Sequence, residues 1–99
     1  MIDFYSIKDE QSKPNDPEQG GLEFVGGLDF KTFNNLQNKG ILDKRFDYYS
    51  DFRLGSLFIQ QIRQIILQKQ FQADEDVQKL LHLFDIADLK QSGLIVYGD

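Results

Sequence analysis

YYSDFRLGSLFIQQIRQIILQKQF, residues 48–71, is the stretch on which the fold of this 99-residue chain turns. Phe58, Ile62, Ile65, Ile66 and Lys69 fall at the three- and four-residue steps that stack side chains on one helical face. Leu54, Leu57 and Ile59 widen the apolar stripe, while Gln60, Arg63, Gln64 and Gln68 face away, and Leu67 suggests a second contact. So broad an apolar face predicts a central helix with neighbours on more than one side. Its start has two readings. Ser50 or Asp51 can cap a helix beginning at Asp51 or Phe52, which leaves Gly55 inside it at a cost of roughly 1 kcal/mol against Ala. Alternatively the helix begins after Gly55, with Ser56 near its first turn. Its end is expected around Phe71–Ala73.

The flanking segments obey the same periodicities. Asp74 caps a following helix, with Glu75 and Asp76 in the first turn, where the helix dipole favours acids. Val77, Leu80, Leu81 and Phe84 form its stripe, and Leu83, Ile86, Ala87 and Leu89 extend it. Lys90 lies in the last turn, and Gly93 is placed just beyond the cap. The short connection predicts an antiparallel helical hairpin. Upstream, Asp29 caps a short helix carrying Phe30, Phe33 and Leu36, and Gly40 follows its end. Leu22–Val25, between the Gly-Gly pairs at 20–21 and 26–27, reads as a second strand or a packed turn.

Ile2–Ile7 alternates loosely, with Ile2, Phe4 and Ser6 on one face and Asp3, Tyr5 and Ile7 on the other. Leu94–Tyr97 is a β-type run that needs a partner, and Ile2–Ile7 is the natural one. The expected fold is therefore α+β: a small antiparallel sheet from the terminal strands, packed against a helical hairpin plus one short helix. The alternative is a largely helical domain with ordered but unpaired ends. Residues 1–99 are expected to form a single domain, in which Lys8–Gly21, polar and punctuated by Pro14, Pro17 and Gly20-Gly21, is a mobile loop.

Forty per cent of the residues are hydrophobic and nine are phenylalanine, enough for one core. Eleven basic against 16 acidic residues leave a net charge of −5, which disfavours nucleic acid and anionic membrane surfaces and favours a basic protein partner. Absence of cysteine excludes disulfide and thiolate chemistry. Neither a signal peptide nor a spanning segment is visible, so a cytoplasmic location is expected.

No stretch carries the spacing of a catalytic or metal-binding motif, so the chain reads as non-enzymatic, with no cofactor and no metal. His82, the only histidine, reads as a helix-surface residue. Asp74, Glu75 and Asp76 read as a cap, because successive helical residues point apart and no cation-loop glycine follows. Asp85 and Asp88, one turn apart, read as a solvated face with slight mutual repulsion. Gly20-Gly21 and Gly26-Gly27 lack the pattern of a phosphate loop and read as turns.

Phe46–Arg53, FDYYSDFR, alone has the composition of a recognition surface, since tyrosine and arginine combine contact area with directional hydrogen bonds. Asp47, Tyr48, Tyr49, Asp51 and Arg53 are the candidate partner-binding residues, with the acidic 9–18 loop as an outer contributor. Their structural reading stands beside the functional one: Arg53 bridging Asp47 or Asp51, Ser50 or Asp51 capping, Phe46 and Phe52 filling core. This segment, together with LEFVGGLDF at 22–30 and LIVYGD at 94–99, resembles small bacterial immunity-type proteins encoded beside secreted antibacterial toxins. Leu54-Gly55 stands where such relatives carry a tryptophan after the arginine. The resemblance implies a non-enzymatic cytoplasmic inhibitor that binds a cognate toxin domain, here a basic one. The alternative is a structural or homo-oligomeric subunit, which would bury its helical stripe against another copy.

Overall fold

In a computed structural model, which describes residues 1–99, the alternating Ile2–Ile7 segment extends as strand β1 and the terminal Gly93–Tyr97 run as strand β4. They pair antiparallel at the middle of the sheet, with Phe4 opposite Val96 and Ser6 opposite Leu94. Strand β2 (Glu23–Leu28) flanks β1, and strand β3 (Phe52–Leu54) flanks β4, giving the antiparallel order β2-β1-β4-β3. Helices α1 (Phe30–Asn38), α2 (Ser56–Lys69) and α3 (Glu75–Leu89) complete an α+β fold.

The sheet is larger than the terminal strands alone. Phe52–Leu54 is extended, and α2 begins at Ser56 with Gly55 as its N-cap, so the start at Asp51 or Phe52 is not taken. Extension sets Phe52 opposite Val96 and Leu54 opposite Leu94, burying Leu54 completely. The Leu22–Val25 piece likewise becomes a strand that runs on through Gly26-Gly27, so that pair forms no turn. Val25 is the extra residue of a bulge, since Phe4 lies opposite Gly26 and Tyr5 opposite Phe24. Gly26 lets α3 approach: a Cβ there would stand 2.7 Å from Leu83 Cδ2. Gly93 lies in β4 rather than beyond the cap of α3, which ends on Lys90 with Gln91 at φ 52°.

The centre of the helical layer is α3, not α2. It packs against α1, α2, β2 and β4, and buries Val77, Leu80, Leu83, Phe84 and Ala87. Helix α2 buries only Ile59, Ile62 and Ile66. Leu57, roughly 200° around the helix from Ile59, is 74% exposed. Asp29 and Asp74 cap α1 and α3 through Thr32 N and Val77 N, and Gly40 (φ 75°) follows α1.

Ile7 and Ile95 point from the opposite sheet face yet are buried, and segment 8–21 crosses that face. Composition predicted mobility for this segment, and it carries defined contacts. Arg53 donates to the carbonyls of Gln11 (2.7 Å), Lys8 (3.1 Å) and Asp9 (3.5 Å), and the Tyr97 hydroxyl donates to Pro14 O at 3.3 Å. Lys8 Nζ reaches the carbonyls of Lys90 and Gln91 at the end of α3. Asp9 Oδ1 accepts from Ser56 N at 3.0 Å, replacing the side-chain cap that Gly55 cannot supply.

Candidate functional site

Phe46–Arg53 divides by fate once folded. Alternation in β3 turns Phe52 towards the helices, where it stacks on Phe46 at 4.6 Å, and turns Arg53 towards segment 8–21. Tyr48 is 5% exposed, its ring edge-on to Phe30 at 5.2 Å and tilted against Phe33 at 5.6 Å, so it belongs to the core. Asp47 forms the turn, accepting from Tyr49 N (3.0 Å) and Ser50 Oγ (3.2 Å). Asp51 accepts from Gly98 N at 2.9 Å and pairs with Lys13 Nζ at 2.9 Å. The bond from Lys13 is the main reason its carboxyl titrates below the usual range. Tyr49 alone of the five offers a large exposed aromatic side chain, at 66%.

Chain direction explains the neighbourhood of Tyr49. The start of β1, the end of β2, the start of α1, the start of β3 and the end of β4 meet at one end of the sheet. Asp3, Asp29, Asp51 and Asp99 lie in or next to these segments, and Asp47 lies in the turn before β3, which the Asp99 N–H reaches at Tyr48 O. Burial pushes the Tyr48 hydroxyl up, and the charges of Asp99, Asp29, Tyr49 and Asp3 add to the rise. Asp29 is held low chiefly by its bond from Thr32 N. Phe30 is 51% exposed beside Tyr48, which also meets Tyr49 edge-on at 5.3 Å. The result is an exposed aromatic pair, Phe30 and Tyr49, supported by a buried ring and bordered by aspartates. Such a surface can receive ammonium and guanidinium groups by charge and by cation–π contact.

Phe30 escaped sequence reasoning because it shares the three-residue step of Phe33 and Leu36, both buried. Its place immediately after the Asp29 cap was the available signal. Lys13, as the partner of Asp51, had no signal in sequence at all.

Asp74, Asp76, Asp85 and Asp88 have structural occupations. Arg63 Nη2 bridges Asp85 (3.0 Å) and Asp88 (2.7 Å), tying α2 to α3 and offsetting the repulsion between the two acids. Lys39 pairs with Asp74 at 3.3 Å and Asp76 at 3.6 Å, joining the end of α1 to the start of α3. His82 is exposed on α3. No helix is long and apolar enough to cross a membrane. No protein-family model, curated protein or solved structure matches the chain.

Proposed function

We propose that this protein is a non-enzymatic, immunity-type inhibitor that acts in the cytoplasm by binding a basic toxin domain. The observation that carries the reading is the aspartate-bordered pair Phe30 and Tyr49, exposed at the end of the sheet where chain segments from both termini meet. Aromatic anchors supply contact area at small entropic cost, and the acidic border steers a basic partner and orients it. Of the five residues singled out by sequence, Tyr49 is the central contact and Asp47 a border contact. Tyr48, Asp51 and Arg53 support that surface from beneath or beside it.

The test is retention of a partner from lysate of the source organism, at low and at physiological salt, followed by inhibition of that partner's activity. A basic protein held more weakly as salt rises, and inactivated on binding, supports the reading. Recovery of its own copies alone overturns it in favour of a self-associating subunit. That second reading draws support from the outer edge of β2, which has no neighbouring strand and carries Phe24 at 59% exposure.

A further inference from the structure

A second aromatic group lies on the opposite sheet face. Phe24 of β2 is paired directly with Tyr5 of β1, their rings edge-on at 5.5 Å, and Tyr5 meets Tyr97 of β4 edge-on at 5.7 Å. Segment 8–21 covers this row unevenly. Over Tyr97 it places Lys13 Nζ, 5.5 Å from the ring centroid and paired with Asp51. Over Tyr5 it leaves a cleft of about 390 Å³, lined by Tyr5, Asp16, Pro17, Glu18 and Leu22. Asp16 accepts from Gln19 N at 2.8 Å, and neither Asp16 nor Glu18 makes an ion pair.

The two halves of the row differ in one respect. At Tyr97 a ring, a carboxylate and a cation are all supplied by the chain. At Tyr5 the ring and two carboxylates are present, and no side chain of the protein brings a cation to the carboxylates. A cation on an aromatic face gains more where a carboxylate compensates its desolvation, and an open acidic cleft attracts it from solution.

We infer that the cleft between residues 16–18 and Tyr5 receives an arginine or lysine side chain of a partner protein. The occupant follows from charge complementarity and from the Lys13–Tyr97–Asp51 arrangement one ring away. This inference rests on the partner-binding reading and extends it to a second surface, separate from Phe30 and Tyr49.

The cleft can be probed by NMR titration of the whole protein with an acetylated Gly-Arg-Gly-Arg-Gly amide, its citrulline counterpart serving as the uncharged control. Saturable shifts are expected at the Tyr5 and Phe24 rings and at Leu22 with the arginine peptide, and not with citrulline. The double variant Asp16→Asn, Glu18→Gln should keep its dispersed spectrum and bind the peptide at least about fivefold more weakly. Tyr49→Ser should leave peptide binding at the cleft unchanged, which separates failure of this site from failure of the Tyr49 surface. Shifts confined to Phe30 and Tyr49, equal shifts with citrulline, or undiminished binding by the double variant would overturn the inference.

Discussion

At the scale of single residues, adjacent tyrosines do opposite work. Tyr48 is buried against Phe30 and Phe33, whereas Tyr49 stands 66% exposed. Tyr48→Ala removes a packed ring and should cost about 3–4 kcal/mol in denaturant unfolding, since few neighbours can collapse into the gap. Tyr49→Ser should change stability by less than about 0.5 kcal/mol and still weaken partner binding roughly tenfold or more. Equal stability losses in the two variants would contradict their assignment to core and surface. Gly98 is constrained by close approach: a Cβ there would lie 2.5 Å from Ser50 N and from the Tyr49 carbonyl carbon. Gly98→Ala should therefore displace the turn at 47–50 and destabilise the fold by about 1–3 kcal/mol, visible as a lower Tm and shifted Tyr49 and Ser50 amide resonances. Composition pointed to Phe46–Arg53 as unusual, but which aromatic faced inward depended on contacts with Phe30 and Phe33, distant in sequence.

At the scale of elements, segment 8–21 shows what composition leaves out. Polarity, prolines and glycines describe a loop that buries little of itself, and they are silent on what it covers. Arg53 clamps three of its carbonyls, and Asp9 caps the first turn of α2. Arg53→Ala should speed hydrogen exchange at residues 8–14 and lower stability by about 2 kcal/mol, while exchange in α3 changes only through that global loss. Asp9→Ala should cost about 1 kcal/mol, the usual value of an N-cap. The carboxyls of Asp9 and Asp51 both titrate below their ordinary 3.8, Asp9 chiefly through its bond from Ser56 and Asp51 through Lys13. A carboxyl with a depressed folded-state pKa stabilises fully above its unfolded value and loses that contribution as pH falls through the folded one. Attachment of the segment should thus be intact near neutrality and weaken progressively below about pH 3.8. Exchange at 8–14 measured against pH checks this, and Asp9→Ala should flatten the profile. Strand β3 shows the same dependence on context. Phe52 and Leu54 continue the apolar pattern of the helix after them, and only pairing with β4 draws them into the sheet.

At the scale of the whole molecule, the net charge of −5 is unevenly used. Lys39, Arg63 and Lys90 tie elements together through Asp74, Asp76, Asp85, Asp88 and Glu23, whereas Asp3, Asp29 and Asp47 remain without ion pairs at the Tyr49 end. Association through that end should weaken roughly tenfold between low and physiological salt, as isothermal titration with the captured partner would read. Sedimentation over a range of concentrations should show one species if the outer edge of β2 does not pair, and a concentration-dependent dimer would favour the self-associating reading. Local chemistry in the sequence determined the α+β class, the three helical segments, the Asp29 and Asp74 caps and the pairing of the two terminal strands. These depend on periodicity and capping within a few residues, apart from the terminal pairing, for which few other partners were available. Tertiary structure alone decided that Phe52–Leu54 is a strand, that α3 rather than α2 is central, and that segment 8–21 crosses the second sheet face. It also decided which of the clustered tyrosines and aspartates reach solvent. Each of those outcomes depends on pairings between residues far apart in the chain, and periodicity within one segment carries no information about what will pack against it.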